Sequence, residues 1–186
     1  TYKAANLVQS MLKYQTDFAA ENPDYIDAPF ITNHDMGRVA NALRNDPDDL
    51  KMAGGLLMAL SGNPFVYYGE EIGMSSAGTK DENKRLPFIW SDTDTAGMTK
   101  GPKDAEAGII SAFAGVEEQQ ADLDSILNYY NIANELSYKI LFFSIAIVLA
   151  GSLVVILSSM LIFKKYRLRS EDINSVMKAI IITQII

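Results

Sequence analysis

The sequence predicts an α/β fold with parallel strands, followed by an α-helix long enough to cross a membrane. Three observations predict it. Helical and extended apolar patterns alternate over residues 2–68 with short links. Residues 140–163, "ILFFSIAIVLAGSLVVILSSMLIF", carry no charge at all. The charge divides in the same place: residues 1–139 hold 11 Lys/Arg against 21 Asp/Glu, and residues 140–186 hold 5 against 2.

The acidic first part argues against a nucleic-acid partner, which needs a basic stripe. The basic, apolar second part points towards a lipid bilayer. With 186 residues the chain has room for one ordinary domain and an appendage. It has no cysteine, which excludes disulfides and thiolate metal sites. No basic-then-apolar leader is present, and residue 1 lies inside a helical pattern, as if cut from a longer chain.

In order, Ala4, Leu7, Val8, Met11, Leu12 and Phe18 recur at helical spacing, so residues 2–19 read as an amphipathic helix. "ENPDYID" breaks it, and residues 28–32 follow as a short buried strand. "NDPDDLKMAGGLLMALSG" reads as the next helix. Asp46 is placed to cap it, Pro47 suits its first position, and Asp48 and Asp49 complement the helix dipole. Leu50, Ala53, Leu57 and Leu60 form its inner face, and Gly62 is expected to end it. Residues 65–68, "FVYY", form a second strand.

Two strands cannot close a sheet, so this piece needs partners from outside the stretch. Residues 75–115 read as a long polar loop, and loops of that length usually carry function or motion. A helix resumes near Asp122, with Ile126, Leu127, Tyr129 and Tyr130 as its apolar positions. The uncharged stretch then spans about 36 Å as a helix, against about 30 Å for a hydrocarbon core. Lys164, Lys165, Arg167 and Arg169 follow it and place the C-terminal side in the cytoplasm by the positive-inside rule.

Three polar clusters interrupt the apolar pattern. His34, the only histidine, stands beside Asp35 where the first strand ends. Glu70 and Glu71 follow the second strand, where adjacent residues of an extended chain face opposite ways. "DENKR", residues 81–85, reads by itself as a solvated loop.

Taken together, "FITNHDMGR", "GNPFVYYGEEIGM" and "GTKDENKRLPFIW" resemble the last part of the catalytic barrel of the α-amylase family, glycoside hydrolase family thirteen. The similarity continues through "DTAGMTKGPKDAEAG" and "VEEQQADLDSILNYY", the latter resembling the barrel's closing helix, and covers residues 1–130. It implies a partial (β/α)8 TIM barrel, residues 1–135; the membrane segment that follows, residues 136–186, rests on the uncharged stretch and its basic flank. It also implies retaining hydrolysis of α-1,4-glucosidic bonds, with an α-glucan or maltooligosaccharide as partner.

By this resemblance Asp35 is the transition-state stabiliser, holding hydroxyls of the sugar being cleaved. His34 donates a hydrogen bond to the same sugar. Arg38 either touches substrate or pairs with acidic neighbours. Tyr67, Tyr68 and Glu70 brace the second strand, and Trp90 either stacks on sugar or anchors a loop. The family's nucleophile and general acid come from strands outside this stretch, so the chain alone is expected to be inactive. No cofactor is evident in these residues; calcium, which many relatives bind, would sit in parts outside them.

Two alternatives stand beside this reading. Residues 136–186 resemble a sugar ABC-transporter permease segment, which would make the chain part of a transporter fused to an amylase remnant. The barrel part could also belong to an oligo-α-1,6-glucosidase-type relative. In the leading reading the amylase-like part lies outside the cell and the C-terminus inside.

Overall fold

The computed structural model describes residues 4–76, 78, 80–106 and 111–166. It divides into two compact units, Thr1–Ser137 and Tyr138–Ile186.

In the first unit, α1 runs Ala4–Glu21, close to the expected span. Its apolar residues Leu7, Val8, Leu12 and Phe18 are all more than half exposed. Amphipathic spacing made the helix, but the described residues of this unit leave the stripe unburied. Phe18 meets the Tyr25 ring at 5.8 Å, and Gln15 bonds to Ser61 across 46 residues of sequence.

The two expected strands are present only as one parallel bridge, Phe30 to Phe65. Phe65 N–H donates to the Pro29 carbonyl at 2.8 Å, and Asn63 N–H to the Asp27 carbonyl at 2.8 Å. The parallel direction agrees with the expectation; the burial does not. Phe30 is 52% exposed and Phe65 62%, whereas their neighbours Ile31 and Val66 pack against the core. Period-two alternation puts one face of the pair on the helices. The other face opens onto an apolar groove of about 340 Å³ that includes Ala28, Phe30, Phe65 and Tyr67. With no third strand beside either segment among the described residues, the ladder does not propagate.

A single turn, α2 (Val39–Ala42), leads into α3, Pro47–Ala59. The α3 start follows the sequence closely. The Asp46 carboxylate accepts from the N–H groups of Asp48 (3.0 Å) and Asp49 (3.1 Å), with Pro47 at the first position. Leu50, Gly54, Leu57 and Met58 are its buried residues. The helix stops earlier than expected: Leu60 is already extended, and Gly62 lies beyond the helix in the return turn. Gly62 has φ +99°, and a side chain there would strike the Asp27 backbone, so the tight return demands glycine.

The expected closing helix is split. Helix α4 covers Val116–Ala121 and α5 covers Ile126–Tyr166. Ser125 makes the break, because its hydroxyl accepts Asn128 N–H at 3.1 Å as an N-cap. Gln119 holds the pieces together from inside. Its Nε2 donates to the carbonyls of Ile72 (2.9 Å) and Ala114 (2.7 Å), and its Oε1 accepts Leu127 N–H at 3.1 Å.

Two apolar clusters result. Val39, Ala40, Leu50, Met58, Ile126 and Tyr130 form the first, between α2, α3 and the start of α5. Ile72, Met74, Leu86 and Ile89 form the second, beneath the long loop. That loop, read from the sequence as polar, supplies half of this cluster through Leu86, Phe88, Ile89 and Ala105.

In the second unit, helix α5 shows no boundary at residue 140, where the apolar stretch was expected to begin. Ile126–Val154 is long and apolar enough to cross a membrane. Its side chains from Ile140 to Val154 that carry large apolar groups, such as Phe142 and Ile147, are exposed. Ser144 and Ser152 return their hydroxyls to the carbonyls of Ile140 (2.8 Å) and Val148 (2.9 Å), which satisfies them without water. The basic residues Arg167 and Arg169, and the amphipathic segment expected after them, lie outside the described residues.

Candidate functional site

The site is built on the turn that follows residue 32. Asn33 shapes it: its side-chain oxygen accepts Asp35 N–H at 2.9 Å, and its carbonyl accepts Met36 N–H at 3.2 Å. This lifts His34 and Asp35 into solvent, each with 63% of its side chain exposed. His34 Nε2 and Asp35 Oδ2 lie 3.2 Å apart.

The opposing wall is the 3₁₀ turn Asp81–Lys84 and the residue after it. Arg85 Nη2 donates to Asp35 Oδ1 at 3.1 Å, and Arg85 Nε to the His34 carbonyl at 3.3 Å. Lys84 Nζ donates to the Asp35 carbonyl at 2.9 Å and to Asp81 Oδ1 at 2.8 Å. The lysine, mostly through its hydrogen bond, holds the Asp81 carboxyl below the usual range. "DENKR" is therefore not a free loop. Its cations meet the His34–Asp35 turn about 50 residues away in sequence.

That wall is fixed from the second strand. Tyr67 Oη donates to the Lys84 carbonyl at 3.3 Å and Tyr68 Oη to the Leu86 carbonyl at 2.9 Å. Their rings stand edge-on with centroids 4.7 Å apart. Burial pushes the Tyr67 hydroxyl up to about 12.

Arg38 lies below the tyrosines rather than on the surface beside Asp35. It is 1% exposed, and its guanidinium carbon sits 4.5 Å from the Tyr67 ring centre and 4.6 Å from that of Tyr68. Its Nη1 donates to the Tyr68 carbonyl, and burial lowers its pKa from the ordinary arginine value. Gly69 makes room for it: φ is +88°, and a side chain there would stand 2.9 Å from Arg38 Nη1.

Glu70 and Glu71 are not on extended chain, as the sequence suggested, but on a 3₁₀ turn, Glu70–Ile72. Glu70 is 1% exposed, accepts from the Thr32 hydroxyl, and takes Tyr67 N–H at 3.3 Å. It thus joins the ends of both strand segments. Glu71 Oε2 accepts Gly69 N–H at 2.7 Å. Burial raises both carboxyl pKa values, against the pull of these hydrogen bonds.

The Glu70 shift has a measurable consequence. Below the ordinary glutamate value of 4.5 the carboxyl is protonated folded or unfolded. As pH rises past that value the unfolded chain ionises first, so the contribution of Glu70 to stability falls until the folded carboxyl has ionised too. Glu70→Gln cannot ionise. In urea titrations followed by Trp90 fluorescence, Glu70→Gln should gain on the parent between pH 4.5 and 7.5. A parent-to-variant gap that does not change with pH, or widens in the parent's favour, contradicts this.

Trp90 is 55% exposed and sits edge-on to Phe88 at 4.7 Å. Among the described residues no group of three or more His, Asp or Glu is arranged to hold a metal. Sequence reasoning singled out His34 and Asp35, but it quoted Lys84 and Arg85 only within "GTKDENKRLPFIW" and gave them no role at the site. Periodicity cannot link these two cations, just ahead of Pro87, to a turn about 50 residues away.

Comparison with known proteins carries the family. The profile described as "Alpha amylase, catalytic domain" matches residues 2–141. "Alpha-amylase SusG" of Bacteroides thetaiotaomicron is 37% identical over 125 residues, covering 66% of this chain and 17% of its own length. "Alpha-amylase 3" of Dictyoglomus thermophilum is 34% identical over 123 residues, covering 66% of this chain and 24% of its own. The solved structure of Eubacterium rectale Amy13B superimposes with a TM-score of 0.63 at 35% identity, over 72% of this chain and 26% of that one. The chain therefore spans about a sixth to a quarter of the length of these relatives. These neighbours support the partial (β/α)8 barrel. The profile match ends at residue 141 and carries nothing for the permease-like resemblance of the residues beyond it. Over residues 2–141 the chain belongs to the alpha-amylase family, as part of its catalytic domain.

Proposed function

We propose that this chain supplies the sugar-gripping end of a retaining α-glucan hydrolase acting on α-1,4 bonds of starch or maltodextrins. The observation that carries the reading is the exposed His34–Asp35 pair where the first of two parallel segments ends, the end at which barrel enzymes place their chemistry. Asp35 accepts hydroxyls of the sugar ring and binds harder as that ring gains positive charge and flattens. His34 donates to the same ring. Arg38, buried beneath Tyr67 and Tyr68, acts on the site through those rings and not by touching substrate. The nucleophile and general acid of such an enzyme stand about 5 Å apart, and one carboxylate cannot fill both roles. In this reading they come from the rest of the barrel.

Equilibrium dialysis against labelled maltoheptaose tests the reading. Saturable binding by the chain in detergent, weakened a few-fold in Asp35→Asn, is the expected result. Absence of saturable binding, or equal binding by the variant, overturns it.

For the apolar part of α5 we propose a single bilayer span over residues 140–163. Lys164 to Arg169 would lie in the cytoplasm and the amylase-like part outside. Leu, Ile, Val and Phe each favour insertion by a few tenths of a kcal/mol, and no charge opposes them. The chain has no cysteine, so each introduced thiol is unique. Thr95→Cys, at an exposed position, should react with an impermeant thiol reagent in intact cells, and Ser170→Cys should not. Labelling of the Ser170→Cys variant alone reverses the orientation.

A further inference from the structure

Asp35 is held on one oxygen and faced by an imidazole on the other before any sugar arrives. Oδ2 faces His34 Nε2 at 3.2 Å, and Oδ1 accepts Arg85 Nη2 at 3.1 Å. The same guanidinium reaches the His34 carbonyl through Nε, so one planar fork spans a backbone oxygen and a carboxylate oxygen of neighbouring residues. Lys84 fixes the backbone beneath, through the Asp35 carbonyl. Both cations are themselves anchored. Asp81 faces each of them, at 2.8 Å from Lys84 and 3.8 Å from Arg85, and the tyrosine hydroxyls hold the carbonyls of Lys84 and Leu86.

We propose that Arg85 is a positioning residue that orients the Asp35 carboxylate for a pair of neighbouring sugar hydroxyls, with Lys84 holding the turn in place. This rests on the α-glucan reading of the Asp35 turn. A carboxylate offers about four acceptor directions. Arg85 takes one on Oδ1, and the His34 ring stands 3.2 Å from Oδ2, which leaves open directions on both oxygens for the ligand. The open directions lie on a carboxylate restrained by the Arg85 bond on Oδ1 and flanked by the His34 ring on Oδ2. Asp35 has 63% of its side chain exposed, so burial fixes little of it and the fork does what burial does elsewhere. Lysine at position 85 would keep the charge but lose the fork.

His34 is the only histidine, so a chain labelled with ¹⁵N in histidine gives the ring signals of one imidazole, next to the carboxylate in question. The full chain in detergent is measured at one pH as parent, Arg85→Gln, Arg85→Lys and Lys103→Gln, with Trp90 fluorescence confirming that each is folded. Without sugar, Arg85→Gln should move the His34 ring signals, Arg85→Lys should recover at least half of the shift, and Lys103→Gln should leave them in place. Unmoved His34 signals in Arg85→Gln overturn the clasp, whatever sugar does.

Maltoheptaose is then titrated in. The parent signals should shift saturably, the apparent Kd should rise fivefold or more in Arg85→Gln, and Arg85→Lys should fall between. An unchanged Kd in Arg85→Gln overturns the positioning role. A parent that shows the sugar-free differences but no response to maltoheptaose overturns the α-glucan reading, and the role of Arg85 towards sugar with it.

Discussion

Purified in detergent, the chain releases no reducing sugar from starch above a blank. A retaining glycosidase combines a carboxylate nucleophile and a protonated carboxylic acid facing the same bond. The carboxylates gathered at this site fill neither role. Asp81 is paired with Lys84 and held in its ionised form. Glu70 has a raised pKa, as an acid needs, but it is sealed from solvent and bonded to Thr32 and Tyr67. Asp35 is exposed and bonded to a guanidinium, which suits binding a cationic ring better than protonating a leaving group.

When the remaining part of such a barrel is supplied in trans, activity should return. In that complex Asp35→Asn should lower kcat on the order of 10²- to 10³-fold, the range for losing one preorganised transition-state contact. KM should change only a few-fold, because the contact strengthens as the ring becomes cationic. Sugar release by the parent chain alone, abolished by Asp35→Asn, would place the whole chemistry inside this stretch and overturn the reading. An unchanged kcat in the complemented Asp35→Asn enzyme would remove Asp35 from the catalytic set.

The second large effect is association. Expressed without the apolar helix, residues 1–137 should form oligomers at micromolar concentration. Phe30 and Phe65 lie side by side on the open face of the parallel pair, above an apolar groove, and each segment has an edge without a described partner. The stripe of α1 adds Leu7, Val8, Leu12 and Phe18. Open edges and contiguous apolar surface of this kind recruit other chains. Phe30→Lys combined with Phe65→Glu puts an opposite-charge pair across the bridge while removing the apolar patch. By light scattering after size exclusion, the double variant should raise the monomer fraction severalfold. A monomeric parent at the same concentration would show that this face does not drive association.

These results separate what local pattern encodes from what it does not. Residues 46–59 were legible almost to the atom, because capping and the 3.6-residue period act within a few neighbours: Asp46, Pro47 and Leu50 sit as their types demand. The return of Ser144 and Ser152 to the carbonyls one turn back follows from the same short range. The strands were legible in position and direction but not in burial. A strand's environment is set by neighbours distant in sequence, and Phe30 and Phe65 lack one on their open side.

The candidate site divides along the same line. By itself the sequence determined that His34 and Asp35 end an apolar segment, that Asp46 starts a helix, and that residues 140–163 form an uncharged helix. Only the tertiary structure decided that Arg85 and Lys84 close over Asp35, that Arg38 is buried beneath Tyr67 and Tyr68, and that Glu70 ties Thr32 to the second strand. The reason is the distance along the chain. Periods and caps are satisfied within one or two helical turns, whereas these contacts join residues 29 to 50 positions apart. They form only once the parallel pair and its flanking helices have brought the polar ends of both segments to one place.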